Sequence, residues 1–165
     1  MFSNYNKNHN SLYNKLVEFS RKIFFYEDIK LEDTAETRVY LIFFHFSIIL
    51  KVFKVKSYSN FPQNIYDNIF QNIEYHLREL GLGDVSVNKK MKVLNQCFYD
   101  ILLKIDQNSK SDNFNFNIGL FEYYLCKNSK LNNSKREIVS NYFENYYKIC
   151  FELKSESMIE GHINY

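Results

Sequence analysis

Residues 33–54, DTAETRVYLIFFHFSIILKVFK, include Val39–Leu50, the longest apolar run of the sequence. The run is well short of the ~20 apolar residues that a membrane span needs. Large apolar residues recur in it at steps of four and three, the period of one helix face: Val39, Phe43, Phe46, Leu50 and Phe53. Because Ile42 and Ile49 widen this stripe, the predicted helix is apolar on most sides, and we expect it at the centre of the fold.

The rest of the chain favours helices as well. Its 165 residues include one Pro and four Gly, so little interrupts regular structure. No segment alternates with period two, which argues against strands. The predicted fold is all-α, an irregular helical bundle of about six helices. Their expected spans are Ser11–Phe25, a helix from the Asp33 cap to Lys54, Pro62–Leu80, a helix from a Ser86 cap to Asp106, one beginning at Asp112 or Asn113, and one from Asn133 or Ser134 to Leu153.

Local signals place several helix ends. Asp33 and Glu36 are spaced as a capping box, in which each side chain bonds the other residue's backbone. Pro62 suits the first turn of a helix, where its missing N–H costs nothing. Gly81 is placed as a left-handed C-cap, and we expect Gly83 also to adopt a conformation that is costly for other residues.

The length fits one domain, which we place at residues 11–153, between a flexible N-terminal segment, 1–10, and a flexible C-terminal tail, 154–165. The first ten residues lack a basic region followed by an apolar stretch, so we do not expect secretion. The three cysteines are odd in number and form no Cys-x-x-Cys pair, which favours a reducing compartment. The formal charge of +2 and the pI of 8.3 are too mild to indicate nucleic-acid binding by themselves.

No pattern of a catalytic, cofactor or metal site is present. The residues three before the histidines are Asn6, Ile42, Ile73 and Ile159, so no Glu-x-x-His pair could hold a di-metal centre. The cysteines and histidines lack zinc spacing, and no P-loop or dinucleotide fingerprint occurs. His45 stands in the apolar helix, where a hydrogen-bonded core histidine is the first interpretation and a contact with a partner or ligand is the second.

Some charged residues stand against the helix dipole. Lys89, Lys90 and Lys92 are expected near the start of a helix, where positive charge is unfavourable. A solvated face is the simplest explanation, and an acidic partner or an anionic membrane surface is the alternative. Arg38 is likewise expected in a first turn, paired with a carboxylate such as Asp33 or with a partner. Glu79 is expected in a last turn, which makes it a candidate for binding.

One stretch is more specific than the others: Leu77-Arg78-Glu79-Leu80-Gly81-Leu82-Gly83-Asp84, followed by Val87, Lys89, Lys90 and Met91. Together with Asp33-Thr34, Arg38 and His45 upstream, it closely resembles the ubiquinol–cytochrome c chaperone family. The resemblance covers roughly residues 13–106 and continues weakly at 125–128. Asn88 departs from the pattern, because the family usually has Pro there.

This resemblance implies a non-enzymatic chaperone, without a cofactor, that binds newly made cytochrome b during assembly of ubiquinol–cytochrome c reductase, the respiratory complex III. A small partner subunit, the ribosome and peripheral membrane contact are further implied candidates, whereas DNA is not. The chain looks like the bacterial form, expected in the cytoplasm at the inner face of the inner membrane, with the mitochondrial matrix face as the alternative. The candidate partner-binding residues are Arg38, His45, Arg78, Glu79, Gly81, Gly83, Asp84, Lys89 and Lys90.

Two other functions compete with this expectation. A helical adaptor could bind RNA or ribosomes through Lys89–Lys92 and nearby tyrosines, with an affinity that falls steeply with salt. An enzyme or haem carrier could use His45 and His76, although the sequence shows no convergent ligand set.

Overall fold

Eight helices make up the regular structure of the part of the chain that the computed structural model describes, residues 10–56, 58, 60–108 and 113–165. In these residues no strand occurs, and Asp106 and Phe116 form an isolated antiparallel bridge. The predicted all-α bundle is therefore confirmed, and six of the helices have eight residues or more. The helices are α1 Ser11–Ser20, α2 Ile23–Glu27, α3 Ala35–Val55, α4 Gln63–Glu79, α5 Asp84–Lys104, α6 Ile118–Leu125, α7 Asn133–Glu152 and α8 Ser155–Ile159.

Helix α3 lies at the centre, as its uniformly apolar sequence predicts. It packs against α1, α5, α6 and α7, so nearly its whole circumference is covered. Phe43, Phe44, Phe46 and Ile48 are fully buried, and each such side chain contributes about 1.5–3 kcal/mol relative to exposure. The other helices each bury one face on this central helix or on one another.

Helix α3 begins one residue later than the Asp33 cap predicted. Thr34 is the N-cap, and its Oγ1 accepts from the backbone N–H of Thr37 at 3.1 Å. The expected capping box of Asp33 and Glu36 is therefore wrong. A Thr hydroxyl serves the same purpose as an Asp carboxylate, which leaves both carboxylates available for other partners.

Other helix boundaries shift for similar local reasons. Pro62 is the N-cap of α4 rather than its first helical residue. Helix α5 follows Gly83 directly, so Ser86 lies inside its first turn and does not cap it. Asn132 caps α7 by accepting from Lys135 N–H at 2.8 Å, just before the predicted start.

The fifth predicted helix begins later than expected. Asn117 caps α6, and its Oδ1 accepts from Leu120 N–H at 3.1 Å. Asn113 and Phe114 precede this helix, and the Phe114 ring stacks on Tyr147 at 4.4 Å. Asp112, the other candidate start, lies outside the described residues, as does almost all of the predicted N-terminal segment, residues 1–10.

The C-terminal residues differ from the expected flexible tail. They form α8 and then return to α1, with Met158 and Ile163 fully buried. A Cβ on Gly161 would come within 2.8 Å of the Ser11 carbonyl oxygen, so this contact requires glycine. The few apolar residues of this stretch are enough to dock it, because Met158 and Ile163 belong to the buried core.

Candidate functional site

The motif Leu77–Asp84 forms the end of α4, a tight turn and the start of α5. Gly81 has φ 88°, a left-handed conformation that costs a residue with a side chain roughly 1–2 kcal/mol. Its N–H donates to the carbonyl of Arg78 at 2.9 Å, so the predicted C-cap role is confirmed. The expectation for Gly83 is wrong, because its φ of −72° and ψ of 164° are extended values that any residue adopts.

Arg78 connects the two helices across this turn. Its guanidinium donates to Asp84 in the first turn of α5 and, at 3.0 Å, to Glu74 one turn earlier in α4. These hydrogen bonds raise the pKa of Arg78. Because the Arg78 and Asp84 side chains are 38% and 82% exposed, the pair adds little to stability and is accessible to a partner.

Glu79 has a weaker tie to the rest of the protein. Its side chain is 79% exposed, and its carboxylate lies 3.9 Å from Nδ1 of His76. Among the described residues it makes no hydrogen bond with its side chain. Its charge acts on Tyr13 of α1 only as a minor influence, so no hydrogen bond or close ion pair in the described part of the chain explains its unfavourable place at the end of α4.

Large apolar side chains surround this turn and continue along α5. Helix α5 buries one side against its neighbours and exposes the opposite side. Leu103 is 81% exposed and Val85 is 71% exposed. Such a concentration on one turn and one helix side is typical of an interaction surface. We define the α4–α5 surface by its exposed apolar residues together with Glu79 and the Arg78–Asp84 ion pair: Arg78, Glu79, Leu80, Leu82, Asp84, Val85, Val93, Tyr99 and Leu103.

The lysines at the start of α5 divide into two groups. Lys89 and Lys92 are exposed and form no ion pair within the described residues, so they border the α4–α5 surface as free cations. Lys90 instead lies 3.6 Å from Glu36 of α3. The basic cluster that the sequence suggested is therefore partly neutralised.

Glu36 joins three distant parts of the chain. Besides Lys90, it binds Lys127 of the α6–α7 connection at 3.0 Å and accepts from the Tyr40 hydroxyl at 2.9 Å. Burial raises the pKa of Glu36, but the bonds from Lys127 and Tyr40 and the charge of Lys90 outweigh it, so the pKa lies below its ordinary value. The carboxylate thus stays ionised and fixes α3, α5 and the connection relative to one another.

Arg38 is paired as the sequence suggested. Its guanidinium contacts the Asp33 carboxylate at 2.6 Å, and Nε donates to the same oxygen at 2.9 Å. The side chains are 37% and 56% exposed. This ion pair ties Asp33, which precedes α3, to Arg38 near the start of the helix.

His45 does not lie on a surface. It is fully buried and stacks on Phe19 with 5.2 Å between ring centroids. Nδ1 donates to the Leu41 carbonyl at 2.6 Å, so Nε2 is the acceptor for the Tyr142 hydroxyl at 2.8 Å. Burial lowers the pKa of His45 to about 3. The first interpretation, a hydrogen-bonded core histidine, is confirmed, and the partner-binding role given to His45 is wrong because a docked protein could not reach it.

The groups that could hold a metal are dispersed. Within the described ranges, no three His, Cys, Asp or Glu residues are grouped to bind an ion. The described cysteines, Cys97, Cys126 and Cys150, are all free thiols. Burial raises the pKa of Cys126 to about 11 and that of Cys150 to about 12, so both stay protonated at neutral pH.

A cleft of about 480 Å³ separates the residues that lead into α3 from the connection between α6 and α7. We call it the α3/α7 cleft. Lysines from both segments line it, with Tyr40 and Tyr124 among the aromatic lining residues. It does not include any residue of the α4–α5 surface.

Sequence reasoning missed the central place of Glu36 and the participation of Lys127. Glu36 has the spacing of a capping residue, and that local explanation hid its long-range role. Lys127 lies within the short stretch, 125–128, where the family resemblance continues weakly. That weak resemblance was the one sign in the sequence that Lys127 matters. Lys127 and Glu36 are 91 positions apart, and a pair so distant leaves no periodic pattern in the sequence.

The sequence model of the ubiquinol–cytochrome C chaperone family matches residues 27–117. The chain belongs to the ubiquinol–cytochrome c chaperone family. The matched range includes the Asp33–Arg38 pair, Glu36 and all of the α4–α5 surface, so the resemblance found in the sequence is confirmed. No curated protein matches the chain.

The fold of this family member also resembles a solved structure. The crystal structure of the Cbp3 homolog from Brucella abortus aligns with a TM-score of 0.68 and 23% identity, over 95% of this chain and 87% of that chain. At this identity the likeness shows the fold. None of the helices in the described part of this family member is both long enough and apolar enough to cross a membrane.

Proposed function

We propose that this protein assists the assembly of ubiquinol–cytochrome c reductase by binding newly made cytochrome b at the α4–α5 surface. The observation that carries the proposal is the family match over residues 27–117. That range contains every residue of the surface. The proposed role requires binding alone and no catalysis, so it needs no bound cofactor.

The chemistry of the surface suits such a target. Cytochrome b is a membrane protein, and before assembly it presents apolar surface that favours aggregation. Val85 and Leu103 protrude from α5, and burying each against a partner is worth about 1.5–3 kcal/mol before the costs of association. Shielding of that kind needs no ATP.

Polar residues at the rim provide orientation. Arg78, Glu79 and Asp84 lie beside the exposed Leu80 and Leu82, so their charges can meet polar loops or helix ends of the target. Gly81 acts indirectly by giving the turn its shape. Arg38 lies outside this surface, and we assign it to the stability of the α3 start.

We propose that the chaperone meets cytochrome b at the membrane face where the new protein emerges. Lys89 and Lys92, which have no ion-pair partner in the described part of the chain, are exposed beside the apolar residues. Each lysine near an anionic membrane surface is worth about 1 kcal/mol. Transient contact with lipid headgroups, a small partner subunit or the ribosome would keep the chaperone close to its target.

An affinity experiment tests the proposal. Tagged protein is recovered from solubilised cells, and the co-purified proteins are identified by mass spectrometry. We expect enrichment of cytochrome b without the complete complex III. The double variant V85D/L103D should lose this enrichment, whereas I23D/I138D, which changes exposed apolar residues on α2 and α7, should retain it.

Two outcomes would count against the proposal. Equal loss in both double variants would point to a general effect of added charge. Enrichment of ribosomal proteins alone, abolished by K89E/K92E and by moderate salt, would favour the RNA-facing adaptor, because binding to phosphates weakens steeply with salt.

A further inference from the structure

The α3/α7 cleft carries more positive than negative charge. Four lysines and two glutamates line it: Lys30, Lys127, Lys130, Lys135, Glu32 and Glu36. Glu36 is already neutralised by Lys127 and Lys90. In the described part of the chain, Lys30 and Lys130 have no carboxylate partner, and Lys135 bonds only the Ile29 carbonyl, at 3.4 Å. The cleft therefore offers ammonium groups that an anionic ligand could pair with.

The wall formed by the α6–α7 connection also presents free backbone groups. Cys126 N–H donates to Glu122, and Leu131 N–H donates to the Glu122 carboxylate at 3.1 Å. Between these anchors, the backbone of residues 127–130 makes no hydrogen bond to other described residues, and these residues are exposed. An extended ligand chain could bond to such groups, as in recognition by strand addition.

The size and the remaining lining favour a peptide over a small inorganic anion. A volume of about 480 Å³ lies in the range of about 300–1,000 Å³ that is usual for organic ligands. Tyr124 and Leu131, which are half-buried, add aromatic and apolar surface to the lining. Phosphate has no apolar part to pack on such surface, whereas the side chains of a short peptide segment do.

We propose that the α3/α7 cleft binds an extended acidic peptide segment of a partner protein. Lys30, Lys130 and Lys135 pair with its carboxylates, and residues 127–130 bond its backbone. The Glu36 cluster with Lys90 and Lys127 holds the two walls at a fixed distance. This binding is independent of the proposed function, because the cleft and the α4–α5 surface share no residue.

Fluorescence anisotropy with a labelled peptide of about eight residues, in which Glu alternates with Leu or Tyr, tests this site at low salt. We expect saturable binding, and the same peptide with Gln for Glu should bind about tenfold more weakly. The variant K30E/K130E should weaken binding of the Glu peptide about tenfold. The matched control K54E/K148E changes exposed lysines outside the cleft by the same total charge and should bind like the unaltered protein.

Amide chemical shifts in ¹⁵N spectra locate the peptide. Shifts concentrated at residues 127–131 support the proposal, whereas shifts concentrated on α5 overturn it. Equal weakening by the two double variants overturns it as well, because the attraction would then be a property of net charge.

Displacement of the peptide by an equal concentration of pyrophosphate would reassign the cleft to small anions, and vesicle binding that depends on Lys30 and Lys130 would reassign it to anionic lipid. A failure here leaves cytochrome b enrichment unaffected, so the two proposals are tested separately.

Discussion

Nε2 of His45 in α3 lies 2.8 Å from the hydroxyl of Tyr142 in α7, and this bond joins the central helix to α7. The imidazole has no access to water, so both ring nitrogens depend on the protein for partners. Leu41 supplies one partner and Tyr142 the other. An apolar helix that contains one histidine thus gains a specific register against α7.

Removal of the Tyr142 hydroxyl should lower the free energy of unfolding. Tyr142→Phe leaves Nε2 of His45 buried without a donor, and we expect a loss of about 1–3 kcal/mol in the free energy of unfolding. Urea denaturation measures it. Tyr123→Phe is the control, because Tyr123 is 74% exposed and should change stability little. Equal losses of stability in the two variants would show that the hydrogen bond between Tyr142 and His45 does not stabilise the fold.

The same histidine predicts a dependence of stability on pH. Burial holds the folded-state pKa of His45 at about 3, well below the ordinary value of about 6.5 that applies in the unfolded chain. The unfolded state then binds more protons below that ordinary value, so stability falls as pH decreases through this window. Between pH 7 and pH 5 the loss from this group should be about 2 kcal/mol.

A comparison with His45→Gln isolates the contribution of the histidine. Gln does not titrate, so the stability of this variant should change less over the same interval, even if its stability at pH 7 is lower. Parallel pH profiles for the two proteins would contradict the assignment. Both proteins keep every other histidine of the chain, so the difference between their pH profiles reports His45 alone.

The sequence was sufficient where one local property dominated. The apolar circumference of α3 predicted both a helix and its central position, and Gly81 marked the end of α4. It was misleading where two local explanations were equivalent, as with Asp33 and Thr34 at the start of α3. Phe114 fits the helical spacing of α6, yet it stacks on Tyr147 before that helix begins, since an aromatic contact with α7 replaced another helical turn.

The candidate site was predictable only in part, for a related reason. The motif from Arg78 to Asp84 identified the α4–α5 turn because it is contiguous in sequence. The Glu36 cluster requires the fold, because its lysines come from α5 and from the α6–α7 connection. Exposure of Leu103 also requires the fold, since a leucine in an amphipathic helix is expected in the core.

The two glycines of the α4–α5 turn should respond differently to alanine. Gly81→Ala places a side chain at φ 88° and should lower the free energy of unfolding by about 1 kcal/mol. Gly83→Ala has no such strain, because its φ is −72°. Apart from its chain neighbours, no described residue has an atom within 4 Å of an added Cβ at either position, so the contrast reports backbone conformation. Urea denaturation of both variants checks it, and a larger loss for Gly83→Ala would refute the conformational argument.

The ion pair across that turn should matter more for binding than for folding. The double variant R78A/D84A removes both exposed partners and leaves α4 and α5 with their buried faces, so we expect helicity by circular dichroism to be unchanged. Recovery of cytochrome b should nevertheless fall. The control K15A/E18A removes the ion pair on α1, whose atoms are 3.1 Å apart and which lies outside the α4–α5 surface, and should leave recovery unchanged. An unfolded R78A/D84A protein would assign the motif a structural role instead.

The C-terminal residues pack against α1 with no room for a side chain at Gly161. Gly161 has φ 73°, and an added Cβ would lie 2.8 Å from the Ser11 carbonyl oxygen and 3.2 Å from the Leu12 Cα. Both atoms belong to the backbone of α1, so they cannot rotate away as a flexible side chain would. Gly161→Ala must therefore displace residues 160–165, which exposes Ile163 and breaks the bond from the Tyr165 hydroxyl to the Tyr142 carbonyl. We expect a loss of about 2 kcal/mol or more in the free energy of unfolding, together with faster amide exchange in α8.

Gly119→Ala is the control, since its nearest neighbour would be a side-chain oxygen at 3.5 Å, an ordinary contact distance. Unchanged exchange in α8 of Gly161→Ala would return these residues to the flexible tail that their sequence suggests.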